Sequence, residues 1–192
     1  LSPLMKLPVV LNGAPKLSSL NDVTYCQSKT PLGYWTSRVV GVKKYEYDFS
    51  GLKVVPTISS DSLKWTLTFD RDTFGVFPVK IRAISQTGCP GPWVAATITI
   101  NPKPKTQKIS GASAVCVPNI TGYNYSINGM SNSTFAWSVG GGNFVSTPSP
   151  SSSGVSIDWT LGAQPGYVQV IEQSDKGCLR EMRGSNYLAT VG

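Results

Sequence analysis

The sequence predicts an all-β chain of two tandem antiparallel β-sandwiches. Three observations carry this: a cysteine interval that occurs twice, a turn-rich composition without helical periodicity, and a proline-punctuated break near the middle. Cys26 and Cys89 lie 63 positions apart, and Cys116 and Cys178 lie 62 apart. The second cysteine of each pair follows a glycine, Gly88 or Gly177. Aligned on that cysteine, Val79-Lys80-Ile81-Arg82-Ala83-Ile84-Ser85 falls on Val168-Gln169-Val170-Ile171-Glu172-Gln173-Ser174. The chain reads as one structural unit written twice.

At 192 residues the chain can hold one large or two small domains, and the repeat selects two. Each half is then the size of an immunoglobulin-like sandwich. The expected modules are 1–103 and 104–192, with 1–14 a linker or a first strand. Five Trp, eight Tyr and six Phe argue against disorder, while 19 Gly and 14 Pro imply many turns. No run of 18 apolar residues occurs, so the expectation is no membrane insertion by this segment. The start, Leu1-Ser2-Pro3-Leu4-Met5-Lys6, does not look like a signal peptide. It fits a mature or internal fragment.

In the first module, strand signals cover Lys43 to Phe49, Ser62 to Phe69, Gly75 to Ile84 and Trp93 to Ile100. These stretches are rich in aromatic and β-branched residues with partial period-two alternation. Turns separate them at Asp48-Phe49-Ser50-Gly51, Asp70-Arg71-Asp72 and Thr87-Gly88-Cys89-Pro90-Gly91-Pro92. The last two strands should form a hairpin with Cys89 near its tip. Asn101-Pro102-Lys103-Pro104-Lys105-Thr106 reads as a short, stiff spacer. In the second module strands are expected at Tyr123 to Ile127, Thr134 to Val139, Val155 to Thr160, Tyr167 to Glu172 and Tyr187 to Val191. Trp65, Trp137 and Trp159 read as core residues. Ser146 to Gly154, rich in Ser and Pro, reads as an exposed loop.

The four cysteines come without any histidine or C-x-x-C motif, which favours disulfides over zinc. Of three connectivities, the repeat favours the intramodular pair Cys26–Cys89 and Cys116–Cys178. A loop of roughly 60 residues closed in this way is worth about 4 kcal/mol in the chain-entropy model. Disulfides place the chain in an oxidising compartment.

The formal charge of +7 is lopsided. Residues 1–103 carry 12 Lys+Arg against 6 Asp+Glu, and residues 104–192 carry 5 against 4. The basic residues are scattered rather than clustered with stacking platforms, so nucleic acid is not an expected partner. Attraction to acidic polysaccharide or an anionic surface is the functional alternative to plain solubility. Without histidine the usual general base is missing, as are Ser-His-Asp and Cys-His constellations. No opposed carboxylates suggest a glycosidase. Asp70 and Asp72 flank a turn and give only a minimal calcium candidate; Glu172, Asp175 and Glu181 read as solvated side chains of the second hairpin. No catalytic residue and no cofactor is expected.

Tyr34 and Trp35, near Lys29 and Arg38, are a candidate sugar-stacking platform. Asn119, Asn124 and Asn132 head three N-glycosylation sequons that read as chance in an Asn/Ser-rich stretch.

Residues 107–192 resemble the PKD-like modules of Bacteroidota cell-surface proteins. The likeness runs through Lys108-Ile109-Ser110-Gly111-Ala112-Ser113-Ala114-Val115-Cys116, Phe135-Ala136-Trp137-Ser138-Val139-Gly140-Gly141-Gly142, Ser156-Ile157-Asp158-Trp159 and Lys176-Gly177-Cys178. The first half is similar to the Ig-like modules of such proteins, through Val23-Thr24-Tyr25-Cys26-Gln27 and Ser85-Gln86-Thr87-Gly88-Cys89. The resemblance implies a structural or adhesive segment of a long extracellular surface protein, such as a gliding adhesin exported by type IX secretion. Its implied partners are neighbouring modules and a surface polysaccharide or abiotic surface. Asp61-Ser62-Leu63 also resembles a Bacteroidota O-glycosylation signal, which makes Ser62 a candidate acceptor. The alternatives are a carbohydrate-binding accessory module of a secreted enzyme and a periplasmic or outer-membrane component of secretion machinery.

Overall fold

In a computed structural model the described residues are 10–28, 31–49, 51–52, 56–59, 63–70, 72–105, 107–115, 119–160 and 166–183. They form only β-structure, divided into two compact units, Leu1–Ile100 and Asn101–Gly192. The two units are tandem antiparallel sandwiches of the Ig-like, PKD-like type.

The first unit contains β1 (Val23–Cys26), β2 (Leu32–Trp35), β3 (Val42–Asp48), β4 (Thr57–Ile58), β5 (Lys64–Leu67), β6 (Gly75–Ser85) and β7 (Val94–Asn101). One sheet has the order β1-β7-β6-β3 and the other β2-β5-β4. Alternation decides which faces meet. Val79, Ile81 and Ala83 of β6 and Ala96, Ile98 and Ile100 of β7 point into the core, while Lys80, Ala95 and Thr97 lie on the other face. From the facing sheet, Trp65 and Leu67 are each 1% exposed. The Trp65 ring lies 4.9 Å from Tyr47 and 5.8 Å from Phe49. Such tilted and edge-on pairs add to the burial of apolar area. The N-terminal segment joins this core through Leu17, and it runs against the β6–β7 turn at Gly91. A Cβ on Gly91 would lie 2.0 Å from the Pro15 carbonyl oxygen, so glycine is required by the close approach.

The second unit contains β8 (Tyr123–Ser126), β9 (Thr134–Gly140), β10 (Gly142–Phe144), β11 (Gly154–Trp159), β12 (Tyr167–Gln173) and β13 (Leu179–Arg183). Its sheets have the orders β10-β11-β8 and β13-β12-β9. Tyr125, Val155, Ile157, Trp159, Val168, Val170 and Met182 fill the space between them. Trp159 Nε1 donates to the Tyr125 hydroxyl at 3.2 Å, which satisfies the buried indole without water. Trp137 is only half-buried, and its Nε1 donates to the Ser152 carbonyl at 2.9 Å. The Ser/Pro loop is thus stitched down: Pro150 and Ser153 carbonyls also accept from Phe135 and Ile127.

The four strands expected in the first module correspond to β3, β5, β6 and β7. Those of the second correspond to β8, β9, β11 and β12, and Tyr187 to Val191 lies outside the described residues. The stretch read as a spacer is fastened to the second unit instead. Pro104 is fully buried, and its carbonyl accepts from Arg180 Nε at 3.0 Å.

Candidate functional site

The repeated cysteine turn has the same hydrogen bonding in both units. In the first, Ser85 N–H donates to the Cys89 carbonyl at 2.9 Å, and Cys89 N–H donates back to Ser85 Oγ at 2.9 Å. In the second, Ser174 N–H donates to Cys178 O at 2.9 Å, and Cys178 N–H to Ser174 Oγ at 3.2 Å. Gly88 and Gly177 supply the left-handed corner at φ 89° and 78°. The serine four residues before each cysteine closes the turn, and only the paired alignment makes it visible in the sequence.

The thiols themselves differ. Cys26 and Cys178 are disulfide-bonded, whereas Cys89 is a free thiol. The expected Cys26–Cys89 bridge is therefore not formed. The Ser85–Cys89 turn holds Cys89 at the hairpin end, with Thr87 Oγ1 3.7 Å from its sulfur. Cys116, named in the second expected pair, lies outside the described residues, as does Ser62.

Tyr34 and Trp35 sit on β2, in register with Trp65 and Lys64 of β5. Beside that strand is a cleft of about 230 Å³, walled by the N-terminal segment, β1 and the chain leaving β2. Its polar lining is Ser18, Ser19, Asn21, Thr36 and Ser37, and Tyr25 is its aromatic wall. Sequence reasoning passed over it, because Ser and Asn in a segment without strand signals read only as turn residues.

A second surface feature lies on the outer face of β3 and β6. Glu46 accepts from Arg82 Nε at 2.8 Å and pairs with Lys44 Nζ at 3.0 Å. The Arg82 guanidinium lies 4.5 Å from the centroid of Trp93, which is 42% exposed. The hydrogen bonds from Lys44 and then Arg82 hold the Glu46 carboxyl below its ordinary range. Trp93 falls outward because the inward positions of β7 are even-numbered, a signal present in the alternation.

Asp70 closes a turn through its carbonyl, which accepts from Thr73 N–H at 3.0 Å. Among the described residues no group of three or more His, Cys, Asp or Glu converges to hold a metal ion. Glu172 is not solvated; it is fully buried.

Residues 102–183 match the PKD-like domain family. That match falls within the second unit, Asn101–Gly192. Comparison with curated protein sequences gives no significant match. Among solved structures, the N-terminal eight Ig domains of Down Syndrome Cell Adhesion Molecule are similar, with a TM-score of 0.60 and 10% identity over 93% of this chain and 24% of that one. Extracellular domains 3–5 of Drosophila OTK give a TM-score of 0.47 at 11% identity, over 93% of this chain and 62% of that one. The D00-D0 domain of intimin gives 0.40 at 11%, over 90% and 98%. At 10% identity the likeness to the Ig domains of Down Syndrome Cell Adhesion Molecule is one of fold. Among the described residues, no helix is long and apolar enough to cross a membrane.

Proposed function

We propose that the chain is a structural and adhesive segment of an extracellular bacterial surface protein, and that it catalyses no reaction. The observation that carries this reading is the repetition of a self-sufficient unit. Each module closes its own apolar core, and the two share one Ser-x-x-Gly-Cys turn. A unit of that kind can be strung in series to set distance and present surface, as in other repeat architectures. Disulfide-bonded Cys26 and Cys178 fit an oxidising exterior. The finer reading, a type IX-exported adhesin of Bacteroidota that includes gliding adhesins among its kind, rests on the sequence resemblance around Trp137 and Trp159 alone.

The test is protease shaving of intact native cells, followed by mass spectrometry. Release of peptides from both modules is expected. Full protection until the outer membrane is opened would support the periplasmic alternative. The same peptides report on Ser62, where an unmodified Asp61-Ser62-Leu63 would remove it as a glycosylation site. Adhesion is read separately, by retention of the purified chain on polysaccharide-coated and bare surfaces in a quartz microbalance. Loss of both forms of retention would leave a spacer.

A further inference from the structure

We propose that the cleft between the N-terminal segment, β1 and β2 is a binding site for one ring of a neutral oligosaccharide. The proposal deepens the adhesive reading and rests on it for its biological meaning.

Ser18, Ser19, Asn21, Thr36 and Ser37, four hydroxyl-bearing residues and one amide, line one cavity. Hydroxyls and amides both donate and accept hydrogen bonds. They match a ligand whose own groups are also hydroxyls, because either partner can rotate to complement the other. Among the described residues the lining contains no Lys, Arg, Asp or Glu, although this module holds most of the chain's excess of positive charge. A phosphate, sulfate or uronate would find no counter-charge there, and a metal ion would find no carboxylate. The polar lining would equally be left desolvated and unpaired by a lipid tail or an apolar peptide.

The apolar part of the wall is Tyr25, with Leu20 and Val23 beside it. Tyr25 packs against the module core and is half-buried. A flat ring beside a set of hydroxyls is the pattern a pyranose requires, since one face of the sugar is C–H and its rim is O–H. The volume of about 230 Å³ falls below the roughly 300–1,000 Å³ of sites for drug-sized ligands. That suits a single ring of a longer chain whose remainder lies outside.

The walls are also held in place before any ligand arrives. Asp22 Oδ1 accepts from the Thr97 amide at 2.7 Å, which ties the start of β1 to β7. Thr36 N–H donates to the Leu63 carbonyl at 2.9 Å, which fixes the chain leaving β2. Pre-formed walls lower the ordering cost of binding.

The experiment is titration of the ¹⁵N-labelled two-module chain with maltotetraose, cellotetraose, xylotetraose and mannotetraose, with polygalacturonate oligomers as the charged comparison. Shifts confined to residues 18–25 and 33–37 with at least one neutral sugar are expected. The double variant Asn21→Ala/Ser37→Ala, at two exposed positions, should weaken that binding by about fivefold or more for each hydrogen bond lost, while the other resonances stay in place. The proposal is overturned if no neutral sugar shifts these residues, if polygalacturonate shifts them as strongly, or if the shifts centre on Trp93. Microbalance retention separates the two readings. Cleft binding without retention would sink adhesion and keep the site, whereas retention undiminished in the double variant, with no shifts in the cleft, would sink the site and keep adhesion.

Discussion

Glu172 Oε1 accepts a hydrogen bond from the Met130 amide at 2.6 Å, and the Glu172 side chain has no exposed surface. The position aligned with it in the first module is Ala83, equally buried. One module therefore places an acid where the other places the smallest apolar side chain. The contact explains the choice: the chain between β8 and β9 passes close over β12, and its Met130 N–H needs an acceptor there. Glu172 Oε2 has no hydrogen-bond partner among the described residues, and neither has the buried Ser133 hydroxyl.

Replacing Glu172 by Ala should strand the Met130 amide and open a cavity, whereas Gln retains an oxygen acceptor. Leaving a buried donor without its acceptor costs about 1–3 kcal/mol. Hydrogen exchange at the Met130 amide is the direct check. Protection should collapse in Glu172→Ala and persist in Glu172→Gln; equal loss in both would show that an oxygen acceptor at this position does not by itself hold the loop.

The two serine-closed turns make a paired prediction. Ser85→Ala and Ser174→Ala each remove the hydroxyl that accepts from the cysteine amide. The loss should be about 1 kcal/mol in the first module and larger in the second, where Cys178 is fully buried and its amide cannot turn to water. Denaturation followed separately by module-specific exchange rates would rank them. The reverse order would show that the turn is held by its glycine corner rather than by the serine.

The long strands were readable because alternation is informative when one face is core and the other is solvent. β7, β11 and β12 bury every second residue, and β6 does so from Val79 to Ala83. β4 escaped notice because two residues cannot display a period, and β2 because Leu32-Gly33 directly after Pro31 reads as a turn. Disulfide pairing was less accessible still. Equal intervals show that two units share a frame, but sulfur-to-sulfur reach depends on which end of the sandwich each cysteine occupies. The cleft lay beyond sequence reasoning because its residues come from segments that meet only after folding. Glu172 was hidden by its type, since an acid in an amphipathic strand reads as the solvent face unless its neighbours Val168 and Val170 are counted in step with it.

Glu46 gives the acid limb of stability in the first module. Hydrogen bonds from Lys44 and Arg82 lower its folded pKa from the ordinary 4.5, so the unfolded chain takes up the proton first as pH falls. The contribution is then fully present above the unfolded pKa and is lost as pH drops through the folded one, below about pH 4.5. Glu46→Gln should flatten the stability profile of the first module in that window and leave it unchanged at pH 7 to 9 relative to its own plateau. It should also release Arg82 from Glu46 and alter Trp93 fluorescence, because that guanidinium stacks on the indole. An unchanged acid limb in Glu46→Gln would show that other carboxylates set it.

The free thiol of Cys89 makes the last prediction. Cys89 is partly exposed at the hairpin end, whereas Cys178 in the matching turn is fully buried and disulfide-bonded. An alkylating reagent added to the native, unreduced chain should therefore label Cys89 and spare Cys26 and Cys178. Non-reducing peptide mapping then identifies the partners of those two directly. Because Cys89 closes no covalent loop, Cys89→Ser should change stability by well under the about 4 kcal/mol expected for breaking a loop of roughly 60 residues. The serine hydroxyl would still face Thr87 Oγ1, and the turn would keep its two backbone bonds to Ser85. Recovery of a Cys26–Cys89 peptide would restore the symmetric pattern implied by the sequence intervals, and the same variant would then lose stability on the full scale of a native disulfide.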